Sequence, residues 1–225
     1  MKISLVEQSI GHHGKVAMIM RWLIALLILS LLTLYPLVTC ADPPDFDRVS
    51  TLRFNTVCSH CHEGQCSGRL TFALGPEATF THIRRYAGNV DDGLARQLVE
   101  LLELMKKECA FPPLAELDIR QPAHREALDL FRDAESGNYF IPLGNLELGN
   151  YQLDLCFETV VPLRVEVLNE WFDFLVDHCS GCGCGTFSQI MEVDEAGKHF
   201  LRVRSQHPLE LEELTIIPES EALVP

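Results

Sequence analysis

Residues 149–157 read Gly149-Asn150-Tyr151-Gln152-Leu153-Asp154-Leu155-Cys156-Phe157. Tyr151, Leu153, Leu155 and Phe157 fall on one parity, and Gln152, Asp154 and Cys156 on the other. Successive side chains of a strand point to opposite faces, so this alternation predicts a strand with one buried face. The pattern continues outward. Leu163, Val165 and Val167 alternate with Arg164, Glu166 and Leu168, and Leu201 and Val203 alternate with Arg202 and Arg204. Further strands are expected over Phe187–Val193 and Leu214–Ile217. Gly137-Asn138-Tyr139 recurs as Gly149-Asn150-Tyr151, which suggests neighbouring strands entered through similar turns. Short strands at intervals of roughly 8–12 residues predict an antiparallel sandwich or barrel.

Upstream the period changes. Asp91 and Asp92 can cap a helix whose apolar positions include Leu94, Leu98, Leu101, Leu102 and Met105, at three- and four-residue spacing, with Pro112-Pro113 as its end. A short helix around Thr79–Tyr86 precedes it, and Pro122–Arg132 reads as a linker helix. The chain is therefore expected to be α+β in two domains. A small, mainly helical domain spans 42–118, a linker helix lies within 119–136, and an all-β antiparallel sandwich spans 137–220.

Residues 1–41 read differently. Trp22–Val38 is an uncharged apolar run preceded by Arg21, with Lys15 and Lys2 further upstream, and Thr39-Cys40-Ala41 follows. A basic start, an apolar centre and small residues at the junction describe a secretory signal peptide cleaved after Ala41. A retained membrane anchor and a lipid-modified Cys40 are the alternatives. Either way the rest of the chain is expected outside the cytoplasm, in a periplasmic or secreted setting. Setting aside 1–41, with Lys2, Lys15, Arg21 and Glu7, leaves 15 basic and 31 acidic side chains, a net charge of −16. Such a surface repels nucleic acid and favours a partner with a basic docking face.

Residues 58–62 read Cys58-Ser59-His60-Cys61-His62. Two thiols separated by two residues can reach the two vinyl groups on one porphyrin edge, and a turn brings the next imidazole under the iron. Here the sequence resembles the c-type cytochromes, over at most residues 45–118. The resemblance implies one covalent haem c, thioether bonds from Cys58 and Cys61, His62 as proximal ligand, and electron transfer as the activity. A zinc site from Cys58, Cys61, Cys66 and His60 or His62 is the competing reading.

The second axial ligand is expected from a short set. His60 lies between the two cysteines and cannot wrap to the opposite haem face. His82 follows the motif by about twenty residues, with Arg84 and Arg85 nearby as propionate partners. Met105 is the second choice, although familiar single-haem cytochromes carry their methionine on a loop and Met105 sits on an apolar helix face. His124 is a more remote candidate. An open distal site would instead suit gas binding or peroxidase-like chemistry.

Six cysteines remain: Cys66, Cys109, Cys156, Cys179, Cys182 and Cys184. In an oxidising compartment up to three disulfides are expected. Cys66–Cys109 would close a loop of ~43 residues, worth ~3–4 kcal/mol. Cys179 and Cys182 share the two-residue spacing, but Gly183 follows where a histidine would be needed, so no second haem is expected. Cys179, Cys182, Cys184 and His178 are a lesser candidate for zinc. The β pattern resembles the jelly-roll sandwiches of carbohydrate-binding modules, without a specific motif. That implies docking, assembly, or glycan and cell-surface binding, with Trp171, Phe172 and Tyr139 as the aromatics such binding would use.

Overall fold

The computed structural model describes residues 46–63, 76–180 and 185–222. The chain divides into two units, Met1–Pro44 and Asp45–Pro225, and every described residue belongs to the second. The expected signal segment therefore lies outside the described residues, as do Cys66, Cys182 and Cys184. Among the described residues no helix is long and apolar enough to cross a membrane. The unit is α+β: helices come first, then two antiparallel four-stranded sheets packed as a sandwich.

The first helical segment runs through the cysteine motif. α1 (Arg48–Arg53) starts at Asp47, whose carboxylate accepts from Ser50 N at 2.9 Å. It passes into a wider π turn at Phe54–Cys58 and then into α2 (Ser59–His62). Thr56 Oγ1 donates to Leu52 O at 2.8 Å, and Ser59 Oγ donates to Asn55 O at 2.8 Å. Hydroxyls bonded back to the preceding turn compete with the regular ladder, and π turns often mark functional positions. α3 (Pro76–Tyr86) and α4 (Asp92–Glu108) follow, and Asp91 caps α4 by accepting from Leu94 N at 2.8 Å. α4 stops at Cys109, in the left-handed region at φ 52°, three residues before the expected stop at Pro112.

Where a linker helix was expected, the chain is more varied. Ala123–His124 is a strand (β1), Arg125–Leu128 is a single helical turn (α5), and Asp129–Phe131 is a 3-10 turn. Pairing of β1 with the last strand, Ala123 opposite Leu214, draws this stretch into a sheet. The remaining strands are β2 (Tyr139–Leu146), β3 (Gly149–Phe157), β4 (Leu163–Asn169), β5 (Phe174–Ser180), β6 (Thr186–Val193), β7 (Gly197–Ser205) and β8 (Leu211–Pro218), with α6 (Glu219–Ala222) at the end. One sheet has the order β1-β8-β3-β6, the other β2-β7-β4-β5.

The two Gly-Asn-Tyr entries do share left-handed glycines, Gly137 at φ 70° and Gly149 at φ 146°. The strands they open are not neighbours, however: β2 and β3 lie in opposite sheets. The alternation is satisfied by the facing sheet, not by the next strand.

Leu153, Leu155, Val165, Val167, Leu201 and Val203 point inward and, with other side chains, form a core of 24 buried residues. Each such side chain contributes ~1.5–3 kcal/mol relative to exposure, whereas a surface ion pair contributes ~0–1 kcal/mol, so burial dominates the sandwich. Leu52 of α1 reaches into this same core.

The outer face of the β2-β7-β4-β5 sheet is also covered. Phe140, Glu166, Leu168 and Arg202 sit on the parity that alternation assigns to solvent, yet all are buried. Phe111, just beyond α4, packs on Phe140 at 4.9 Å, on Phe200 at 4.7 Å and on Phe172 at 4.6 Å between ring centroids. β4 is thus buried on both faces except at Arg164. The helices supply the second cover.

Candidate functional site

The helices build a cavity of about 570 Å³ with mainly apolar walls. One wall is the motif segment, with Phe54, Val57, Cys58, Cys61 and His62. A second is α3, with Thr79, His82, Ile83 and Tyr86, followed by Ala87. Leu98, Val99, Leu102 and Lys106 of α4 close the third side. The volume lies within the range usual for cofactor sites, ~300–1,000 Å³.

The imidazoles of His62 and His82 both line this cavity and stand edge to face. Their ring centroids are 6.2 Å apart and their planes are 79° from parallel. An imidazole nitrogen lies ~1.1 Å from its ring centre and bonds a metal at ~2.0–2.1 Å, so two imidazoles on opposite sides of one metal ion have centres ~6 Å apart. The pair could therefore hold one metal ion between them. Tyr86, one turn beyond His82 on α3, packs against the His82 ring at 4.8 Å and is itself exposed.

Cys58 lines the cavity and is partly buried. Burial pushes its thiol up to about 12, which the nearby Arg53 guanidinium only partly offsets. Cys61 is exposed at the cavity rim. His60 is absent from the cavity lining and is turned toward the sandwich, where burial and then Arg204 and Arg202 hold it below the ordinary histidine range.

Two buried ion pairs attach the motif segment to the rest of the unit. Arg53 donates from Nε to both Asp133 oxygens, at 2.8 and 2.9 Å, with side chains 5% and 1% exposed, and also donates to Ala87 O. Glu63, next after His62, pairs with Arg202 of β7, whose side chain is wholly buried. Arg202 Nε in turn donates to Glu166 Oε2 at 2.6 Å. Burial raises Glu63 above the usual carboxylate range, Arg202 opposing it. For Glu166 burial also pushes upward, but Arg202 and Arg204 outweigh it and the carboxyl falls below that range.

Cys58, Cys61, His62 and His82, each singled out in the sequence, share one cavity. Met105 does not line it: it is fully buried in the helical core with Leu98 and Leu101. His124 lies on β1 beside Glu213, at 3.6 Å. Arg84 and Arg85 are outside the lining, Arg84 paired with Asp92 and Arg85 over the Tyr86 ring at 5.5 Å. The cation on the cavity wall is Lys106, which sequence reading passed over because a lysine in the last turn of a helix is accounted for by the helix dipole.

Among the described residues, the one group of three side chains close enough to share a metal ion is Glu158, Glu210 and Glu212. Arg125 is already paired with all three, which accounts for their gathering. The five cysteines among the described residues, Cys58, Cys61, Cys109, Cys156 and Cys179, are free thiols. No family model matches the chain, and no curated protein matches its sequence.

Proposed function

We propose that the protein is an exported c-type cytochrome with one haem, bonded through Cys58 and Cys61 and ligated by His62 and His82, and that it carries electrons. The observation that carries this reading is the pair of imidazoles, 6.2 Å between centroids, in one apolar cavity whose wall includes both motif cysteines. The residues fit the group: two thiols on one wall, a ligand from each side, and Phe54, Ile83, Leu98 and Leu102 to receive a porphyrin face. When bound, a haem c supplies reversible one-electron chemistry at its iron.

Everything else falls to the polypeptide. His62 is held by α2, whose ends are tied to the sandwich. His82 is held one turn before Tyr86, so the exposed Tyr86 ring touches the ligand and provides a short route from the surface. With His62 and His82 both holding it, a haem would work at a lower potential than a methionine-ligated one and would offer no free position for gas or peroxide. Lys106 supplies a cation for a propionate. Among the described residues Cys58, Cys61, His60 and His62 do not converge as a group of three, which speaks against the competing zinc reading; its fourth member, Cys66, lies outside the described residues.

The strand orders β1-β8-β3-β6 and β2-β7-β4-β5 are those of two interleaved Greek keys, supporting the jelly-roll reading of the β part. With part of the outer face of the β2-β7-β4-β5 sheet covered at Phe140, Glu166, Leu168 and Arg202, we read the sandwich as scaffold and docking body for a redox partner with a basic face. The acidic surface favours that choice.

Expression in a host able to attach haem tests the whole reading. The expected product is coloured, keeps its haem through acid-acetone extraction, and gains one haem in mass. His82→Ala should turn a low-spin spectrum into one that responds to carbon monoxide, while Met105→Ala should not. A colourless product with the mass of bare polypeptide refutes the proposal.

A further inference from the structure

We propose that Arg202 of the sandwich is a positioning residue for the haem site, so that the β part sets both how the motif turn is seated and at what potential its haem works. This rests on the reading of the cavity as a c-type haem site.

Arg202 has no exposed surface, and the strand that carries it is paired on both sides, to β2 and to β4. Its Nη1 donates to Ser59 Oγ at 3.3 Å and pairs with Glu63, while Nη2 reaches Glu63 Oε2 at 3.5 Å. Ser59 follows Cys58 in the chain, and Glu63 follows His62. One guanidinium therefore grips both ends of α2, the four-residue turn that carries Cys61 and His62. The arginine is itself held from behind. Glu166, fully buried, accepts from Arg202 Nε at 2.6 Å and from Arg204 Nη2 at 2.9 Å, and pairs with Arg164 at 3.1 Å.

A neutral, apolar clamp would be enough to hold two layers together, and the phenylalanine cluster around Phe111 already does so. The buried charges do something that packing does not. They place a fixed cation between two carboxylates in a poorly solvated layer directly beneath the ligating turn, where charge acts at longer range than in water. A planar fork also fixes direction in a way that a lysine cannot.

The test uses the full, haem-loaded chain in three variants. Arg202→Gln removes the cation and leaves Glu63 without its partner, while Glu166 keeps Arg204 and Arg164. The lost positive charge should favour the oxidised state by about tenfold, a downward shift of about 59 mV for a one-electron couple. Glu63→Gln removes an anion and keeps the Arg202–Glu166 pair, so the potential should move the opposite way. Arg202→Lys restores the charge without the fork. It should return the potential most of the way while leaving the low-spin spectrum broadened by looser seating of His62.

A purely structural role would leave the potential unmoved in both neutral variants or move it in one direction. Either result overturns the proposal. Should Arg202→Gln fail to fold, Glu63→Gln decides alone: an upward shift supports the inference, and an unchanged or lower potential overturns it. A wild type without covalent haem sinks the underlying reading instead, and is distinguished by its lack of colour before any variant is made.

Discussion

The sandwich and the helical layer bury their apolar side chains on different terms. The sandwich closes around a core of 24 buried residues, Leu52 of α1 among them. The helical layer has a core of eight, and beside it stands a cavity of about 570 Å³. Unfilled apolar space forfeits dispersion contacts on every wall. Among the described residues the sandwich packs without such a space, while the helices leave one between the motif segment, α3 and α4. The difference is what the proposed haem would make up, and it points to the helical layer independently of the cysteine motif.

The sharpest way to break the comparison is at the joint. Asp133→Ala leaves Arg53 buried without its partner and should cost ~3–5 kcal/mol, because an uncompensated buried charge is worse than no pair. Denaturant unfolding followed on both layers checks it; a loss under ~1 kcal/mol would mean that Arg53 escapes to solvent. Next in size is a pair of truncations. Leu153→Ala in the sandwich core should cost ~2–5 kcal/mol. Leu102→Ala on the cavity wall should cost the haem-free chain far less, and should show instead as weakened retention of the native spectrum. Equal losses in the two would contradict an incomplete helical core.

Acid gives a third contrast. Glu166 is held below its ordinary value of 4.5, so its contribution is present above that value and is lost as pH falls through the lower, folded-state value. Wild type should therefore lose melting temperature on acidification below 4.5 more steeply than Glu166→Gln. Parallel curves would remove Glu166 from the account. The smallest effect is chemical. In the haem-free chain at pH 8 the Cys58 thiol, pushed up to about 12, should alkylate far more slowly than the exposed Cys61. Equal rates would show that the cavity is open to reagent from both sides.

Much of the sandwich was legible because burial of one face writes a period of two into Tyr151–Phe157, Leu163–Val167 and Leu201–Arg204. What alternation does not record is whether the other face meets water. Glu166 and Arg202 read as ordinary outward charges, and only the register that sets Glu166 opposite Arg202 on neighbouring strands, under α2, makes them a buried pair. The same ambiguity hid the pairing of β2 and β3 into opposite sheets. Local glycine chemistry specifies a turn, but a sheet partner is chosen by residues far away in sequence. In the cavity, the cysteine motif and His82 stood out by residue type. Lys106 did not, because its position on α4 has a sufficient local explanation.

The connectivity also imposes an order of events. β1 pairs with β8, β2 with β7, and the cation that grips α2 sits 139 positions beyond Glu63, so the earliest segments to be synthesised wait for the last ones before they can settle. A chain emerging from its N-terminus therefore presents Cys58 and Cys61 on an undocked stretch until residue 202 has followed. Docking of this turn therefore comes late, and Cys58, partly buried once the turn is seated, is as accessible as the exposed Cys61 until then.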